Sequence, residues 1–129
     1  MVTREMLDKL DHKMQVMFAV FCIKQILHLI DNRYKKACLR SIEIAEDFIE
    51  GKVTGDEIYT DVGIEYTIIG YLFSVVTKHS FSSYFAASVA EVASITPNVK
   101  KKAIQLEQIR YYEELLNFDN IVEQMMGLQ

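Results

Sequence analysis

Apolar side chains recur at intervals of three and four along almost the whole chain, and only one proline and five glycines interrupt them. That spacing places them on one face of an α-helix, whereas a sheet of similar size needs a turn-forming cluster at each hairpin. The sequence therefore predicts an all-α protein, a single-domain antiparallel bundle of about five helices spanning residues 1–129. A length of 129 residues suits one domain and hardly two, with enough buried surface for a core that needs neither metal nor disulfide.

The stripes can be followed along the chain. Leu7, Leu10, Met14, Met17 and Phe21 form the first, widened by Phe18, Ile23, Leu27 and Ile30, with a break expected near Asp11 and His12. Asp31 or Asn32 is suited to cap a second helix, whose buried face carries Tyr34, Ala37, Cys38, Ser41, Ala45, Phe48 and Ile49 and which Gly51 ends. Thr54 to Glu57 reads as a capping box. Behind it Ile58, Val62, Tyr66, Ile69, Phe73 and Val76 keep helical spacing, although β-branched residues favour strands. After a polar break at Lys78 to Ser83, Phe85, Ala86, Val89, Ala90 and Ala93 mark a shorter helix with small residues on one side, which lets helix axes approach closely. Thr96-Pro97 predicts a helix start, with threonine as cap and proline at the first helical position. The last helix carries Ala103, Leu106, Ile109, Leu115 and Leu116, with a hinge expected at Asn117 to Asn120 and a final turn bearing Ile121, Val122, Met125 and Met126.

Composition narrows the function classes. The formal net charge is −4, so the chain lacks the positive field of a nucleic-acid binder, and DNA or RNA partners are not expected. Glu5 and Asp8 are unlike a secretory signal, which makes a cytoplasmic protein the expectation. The apolar runs Met14 to Ile30 and Val62 to Val76 are interrupted by polar residues or too short to span a bilayer, so no membrane association is expected. Cys22 and Cys38 each lie eight residues from Ile30; a disulfide across a helix pair and two buried free thiols both remain open, the latter being normal in the cytosol.

Catalytic and cofactor motifs are missing. His12, His28 and His79 lack the Glu-x-x-His or His-Glu-x-x-His spacing of metal sites, no glycine-rich loop opens a helix, and no Gly-x-Ser-x-Gly occurs. Neither cofactor nor metal is expected, and an enzyme ranks third among the readings. Glu57, Asp61 and Glu65 form one line at helical spacing, read as structural. Glu43, Glu46, Asp47 and Glu50 form another, near the C-terminal end of its helix, where the dipole disfavours negative charge. Lys100, Lys101 and Lys102 show the reverse mismatch at a helix start. These two clusters could pair within the fold, pair between subunits, meet a partner, or stand as solvated faces.

The run Asp31-Asn32-Arg33, Ala37, Ile44 to Phe48, Gly51-Lys52 and Thr54 to Glu57 resembles small helical bacterial and phage proteins that include immunity proteins of polymorphic toxin systems. The likeness covers roughly Asp31 to Ala93, about half the chain. Ile64 to Val76 departs from it, being bulky where such proteins tend to carry alanine. The resemblance implies an all-helical domain that binds and neutralises another protein, and it transfers no catalytic residue.

Two functional expectations follow. The leading one is a helical protein that binds a protein partner by steric blockade, with Glu43, Glu46, Asp47 and Glu50 steering a basic partner and Met125 supplying apolar affinity. A homodimer is compatible with it. The alternative is a small-molecule or nucleotide site between helices or at a dimer seam, formed by Thr96, Lys100, Lys101 and Lys102 with Tyr111 and Tyr112.

Overall fold

In the computed structural model, residues 1–54 and 67–127 are described, and they form an all-α helical bundle. The helices are α1 (Arg4–Leu7), α2 (His12–Ile26), α3 (Asn32–Ile49), α4 (Thr67–Thr77), α5 (Ser82–Ile95) and α6 (Lys101–Gly127). Short 3-10 turns at Leu27–Leu29 and His79–Phe81 link α2 to α3 and α4 to α5. The capping box at Thr54 to Glu57, the stripe positions Ile58, Val62 and Tyr66, and the line Glu57, Asp61 and Glu65 all reach or lie outside the described residues.

α2 is the axis of the bundle. It buries Met14, Val16, Phe18, Ala19, Ile23 and Ile26 among others, positions that spread over well more than half of the helix circumference. A helix buried over so wide an arc needs several neighbours, and α3, α4, α5 and α6 all pack against it. On α5 the small residues Ala86, Ala90 and Ala93 are fully or almost fully buried, as close approach requires. α3 is amphipathic instead, burying only Cys38, Ser41, Ile42 and Ala45 along one strip.

The helix ends follow local chemistry. The expected break lies between Leu7 and His12, where the Asp11 carboxylate accepts from Met14 N (2.8 Å) and starts α2. Asp31 is the cap of α3, accepting from Arg33 N at 2.9 Å. Gly51 ends α3 with φ +76°: its N–H donates to Phe48 O and that of Lys52 to Asp47 O, the paired closure of a Schellman motif.

Two boundary expectations are corrected. Thr96 and Pro97 do not open α6. Thr96 is extended, its hydroxyl donates back to Val92 O (2.9 Å), and it closes α5. Proline disfavours helical geometry in the residue before it, so here it stops a helix. Asn98, at φ 72°, turns the chain in the left-handed region that asparagine tolerates, and α6 begins at Lys101. The hinge at Asn117 to Asn120 is absent too: α6 runs unbroken for 27 residues, about 40 Å. Asn and Asp cost a helix only tenths of a kcal/mol each, and no glycine or proline stands between Lys101 and Met126.

Buried amides tie the layers together. The Gln15 side chain donates to Leu7 O (2.8 Å) and Leu10 O (3.1 Å), closing the end of α1, while its own oxygen accepts from the Ser82 hydroxyl at the start of α5. Gln108 on α6 donates to Ala90 O and to Gln25, each at 3.1 Å, and Tyr112 donates to Met6 O at 2.8 Å. Replacing Gln15 by leucine strands buried carbonyls and a hydroxyl. Urea unfolding should show a loss of about 2 kcal/mol for Gln15→Leu, against a few tenths for a change at exposed Lys9.

A histidine pair joins the start of α2 to the turn after α4. His12 Nε2–H donates to Val75 O (2.7 Å), and its ring meets Phe48 at 5.0 Å and His79 edge-on at 4.4 Å. Burial lowers the His12 pKa, aided by His79 and opposed by the Val75 carbonyl and Asp11. The folded state therefore favours neutral His12. Its contribution is complete above the unfolded value near 6.5 and falls as the solution is acidified through that value toward the lower folded one. The urea midpoint should drop between pH 7.5 and 5.5, and His12→Gln, which keeps a donor, should make that slope shallower.

Candidate partner-binding groove

α3 and α6 both pack on α2 but leave part of it uncovered between them. The floor is Met17, Phe21 and Lys24, spaced four and three along α2 and so on one face. Phe21 is held by Tyr111 of α6, stacked at 4.3 Å with 21° between ring planes. From α3 come Ile49 and Glu46, joined by its C-cap residue Glu50. This central recess has a volume of about 270 Å³.

It opens into a larger recess at each end. Toward the start of α2 a cavity of about 500 Å³ is bordered by Met14, Met17, Ile49, Leu115, Phe118 and Val122. Toward the end of α2 one of about 340 Å³ is bordered by Leu27, Leu39, Glu43, Glu46 and Glu50. Met17 and Ile49 belong to the first two recesses, and Lys24 and Glu46 to the central and last, so the three form one groove. It is apolar at one end and acidic at the other.

The expected acidic strip forms the α3 wall. Within the fold, Arg40 meets Glu43 at 3.0 Å, Lys24 meets Glu46 at 3.4 Å and Lys52 meets Glu50 at 2.8 Å. Asp47 adds to the field at Lys52, whose pKa is raised first by its hydrogen bond to Glu50. All three pairs are largely solvent-exposed, and such pairs contribute at most about 1 kcal/mol, so an incoming cation can exchange into them cheaply. The strip is thus answered from its own neighbourhood and not by Lys100, Lys101 and Lys102. Those three are exposed around the start of α6 and make no ion pair among the described residues.

Met125 lies on the far part of α6. The last buried residue of that helix is Leu115, and beyond it Phe118, Ile121, Met125 and Met126 are each more than half exposed. Phe118 and Val122 continue the apolar end of the groove, and the turns after them extend that wall.

The residues of the ligand-site alternative are scattered. Thr96 closes α5, Tyr111 stands in the groove, and buried Tyr112 is engaged with α1 through Met6. Lys101 precedes Tyr111 by ten residues, about 15 Å along the helix axis. Of the six, only Tyr111 lines any of the three recesses described above. Met17, Phe21 and Ile49, which line the central recess, were legible as members of apolar stripes; Phe118, beside them in the next recess, was not, because it falls in the stretch expected to be a hinge.

Both cysteines are buried, unpaired thiols. Burial pushes Cys22 well above the ordinary thiol range and Cys38 up to about 11. Nucleophilic reactivity belongs to the thiolate, so neither thiol offers chemistry to the groove. Ellman titration at pH 8 should find both almost unreactive in the native protein and both reactive in denaturant; rapid native labelling of either would contradict this burial.

No helix among the described residues is long and apolar enough to cross a membrane, and no group of three potential metal ligands occurs among them. No family model, curated protein or solved structure matches the chain.

Proposed function

We propose that the protein works by binding another protein along the groove over α2, blocking that partner sterically as a cytoplasmic inhibitor of the immunity or phage type does. The observation that carries this reading is the groove: about 20 Å of helix left open between two walls, with an apolar half and an acidic half. Apolar recesses give affinity once filled and dehydrated, while rim charges steer encounter and select the partner's sign. Glu43, Glu46, Asp47 and Glu50 supply the charge. Met125, with Phe118 and Ile121, supplies apolar area beyond the recess.

The charge also bears on self-association. Asp11, Glu43, Glu46, Asp47, Glu50 and Asp119 line the groove against Lys13, Lys24 and Lys52. From Tyr111 onward α6 carries Glu113, Glu114, Asp119 and Glu123 and no cation. Two copies meeting through this face bring like charges together, so a homodimer would use another surface. A small apolar ligand is the second reading, favoured by the volume of the Met14–Phe118 recess, which lies within the usual range for ligand sites.

The reading is tested with two variants at exposed or half-buried positions, the fourfold reversal Glu43→Lys, Glu46→Lys, Asp47→Lys and Glu50→Lys, and Phe118→Asp. Quantitative capture from lysate of the native host should recover a basic protein with the parent chain and at least about tenfold less with either variant, a change of about 1.4 kcal/mol. Far-ultraviolet circular dichroism should stay helical in both. Equal capture by all three proteins removes the groove from the account.

A further inference from the structure

We infer that the groove is shaped for a cationic amphipathic helix of about four turns, seated with its apolar end over Met14 and Phe118 and its cationic end against Glu43, Glu46 and Glu50. This rests on the reading of the groove as a protein-binding surface and goes further, naming the conformation, length and charge of what enters.

Conformation follows from the walls. Among the described residues the walls are helices and the turns at their ends, which offer no strand edge whose free N–H and C=O groups could pair with an extended peptide. An extended segment laid on Met17, Phe21 and Ile49 would press unpaired backbone groups against an apolar floor, at a cost for each. A helix satisfies its own backbone and presents only side chains. Among the described residues no helix rests on the face of α2 between α3 and α6, and an incoming helix laid there completes the layer.

Length follows from α2. Its groove-lining residues begin at Lys13 and run on to Leu27 just past its end, an axial distance of about 21 Å, which a helix of about fourteen residues matches. Charge follows from the rim. The carboxylates of α3 sit in its last turns, where the helix dipole adds to their negative potential. Their present partners, Lys24, Arg40 and Lys52, are exposed and exchangeable. Cations on one end of an incoming helix meet this wall, while its apolar stripe fills the space beside Leu115, Phe118 and Val122. An anionic helix of the same shape meets repulsion along the same wall.

Three fluorescein-labelled sixteen-residue peptides test the inference against the full chain by fluorescence anisotropy. One carries Leu and Phe at helical spacing with Lys flanking one end. The second has Glu in place of Lys, and the third keeps the Lys but has two central prolines. The Lys peptide should bind at least about tenfold more tightly than either of the others, weaken as salt is raised, and weaken with Phe118→Asp, which removes apolar area from the groove. The fourfold charge reversal on α3 should turn the preference toward the Glu peptide. Equal binding of the Lys and Glu peptides, or of the Lys and proline peptides, overturns the inference and leaves the groove a protein-binding surface. Absence of binding by any peptide overturns it as well; the broader reading then stands only if capture of a protein partner still depends on Phe118.

Discussion

The burial of α2 over most of its circumference is the constraint from which the rest of the structure follows. Met14, Val16, Phe18, Ala19, Ile23 and Ile26 cannot share one interface, so at least three neighbours must surround the helix. Small residues on α5 answer the closest approach, and the buried amides of Gln15 and Gln108 fix how the surrounding helices dock. The hydrogen bonds of Gln15 are especially economical, since one side chain closes the end of α1 and joins the starts of α2 and α5.

The groove is a consequence of the same constraint left incomplete. Met17 and Phe21 lie on the one sector of α2 where α3 and α6 do not close over it, and both are only partly buried. In the proposed reading a further helix covers this apolar surface, and the acidic border selects which helices approach. The long overshoot of α6 fits this picture. Beyond Leu115 the helix has no core to join, yet it keeps apolar residues at Phe118, Ile121, Val122 and Met125 on neighbouring turns, next to the open end of the groove.

Much of the fold was legible because its signals are local. The Asp31 cap, the Gly51 stop and the break before Asp11 each depend on a residue's own conformational preference, and the structure contains all three. Thr96-Pro97 misleads for an equally local reason: proline both starts and stops helices, and only the backward bond from Thr96 to Val92 shows which applies. The hinge expected in α6 gave too much weight to three poor helix formers, whose cost a long helix absorbs. The acidic strip could be read from spacing on a single helix. The groove could not, because it depends on where α3 and α6 sit around α2, and Lys24–Glu46 and Phe21–Tyr111 are contacts between helices that no periodicity within one segment reveals.

The central claim is that the open face of α2 is the surface with which the protein works, and its methionines allow a direct measurement. Of the six, Met14 and Met17 line the groove, Met125 and Met126 lie on the α6 extension, and Met1 and Met6 are outside it. Methyl NMR of the protein labelled at methionine, recorded with and without a bound cationic helix, reports on all of these positions at once. The account predicts that the Met14 and Met17 methyls shift while those of Met1 and Met6 stay in place. Movement of Met1 and Met6 with Met14 and Met17 undisturbed would contradict it.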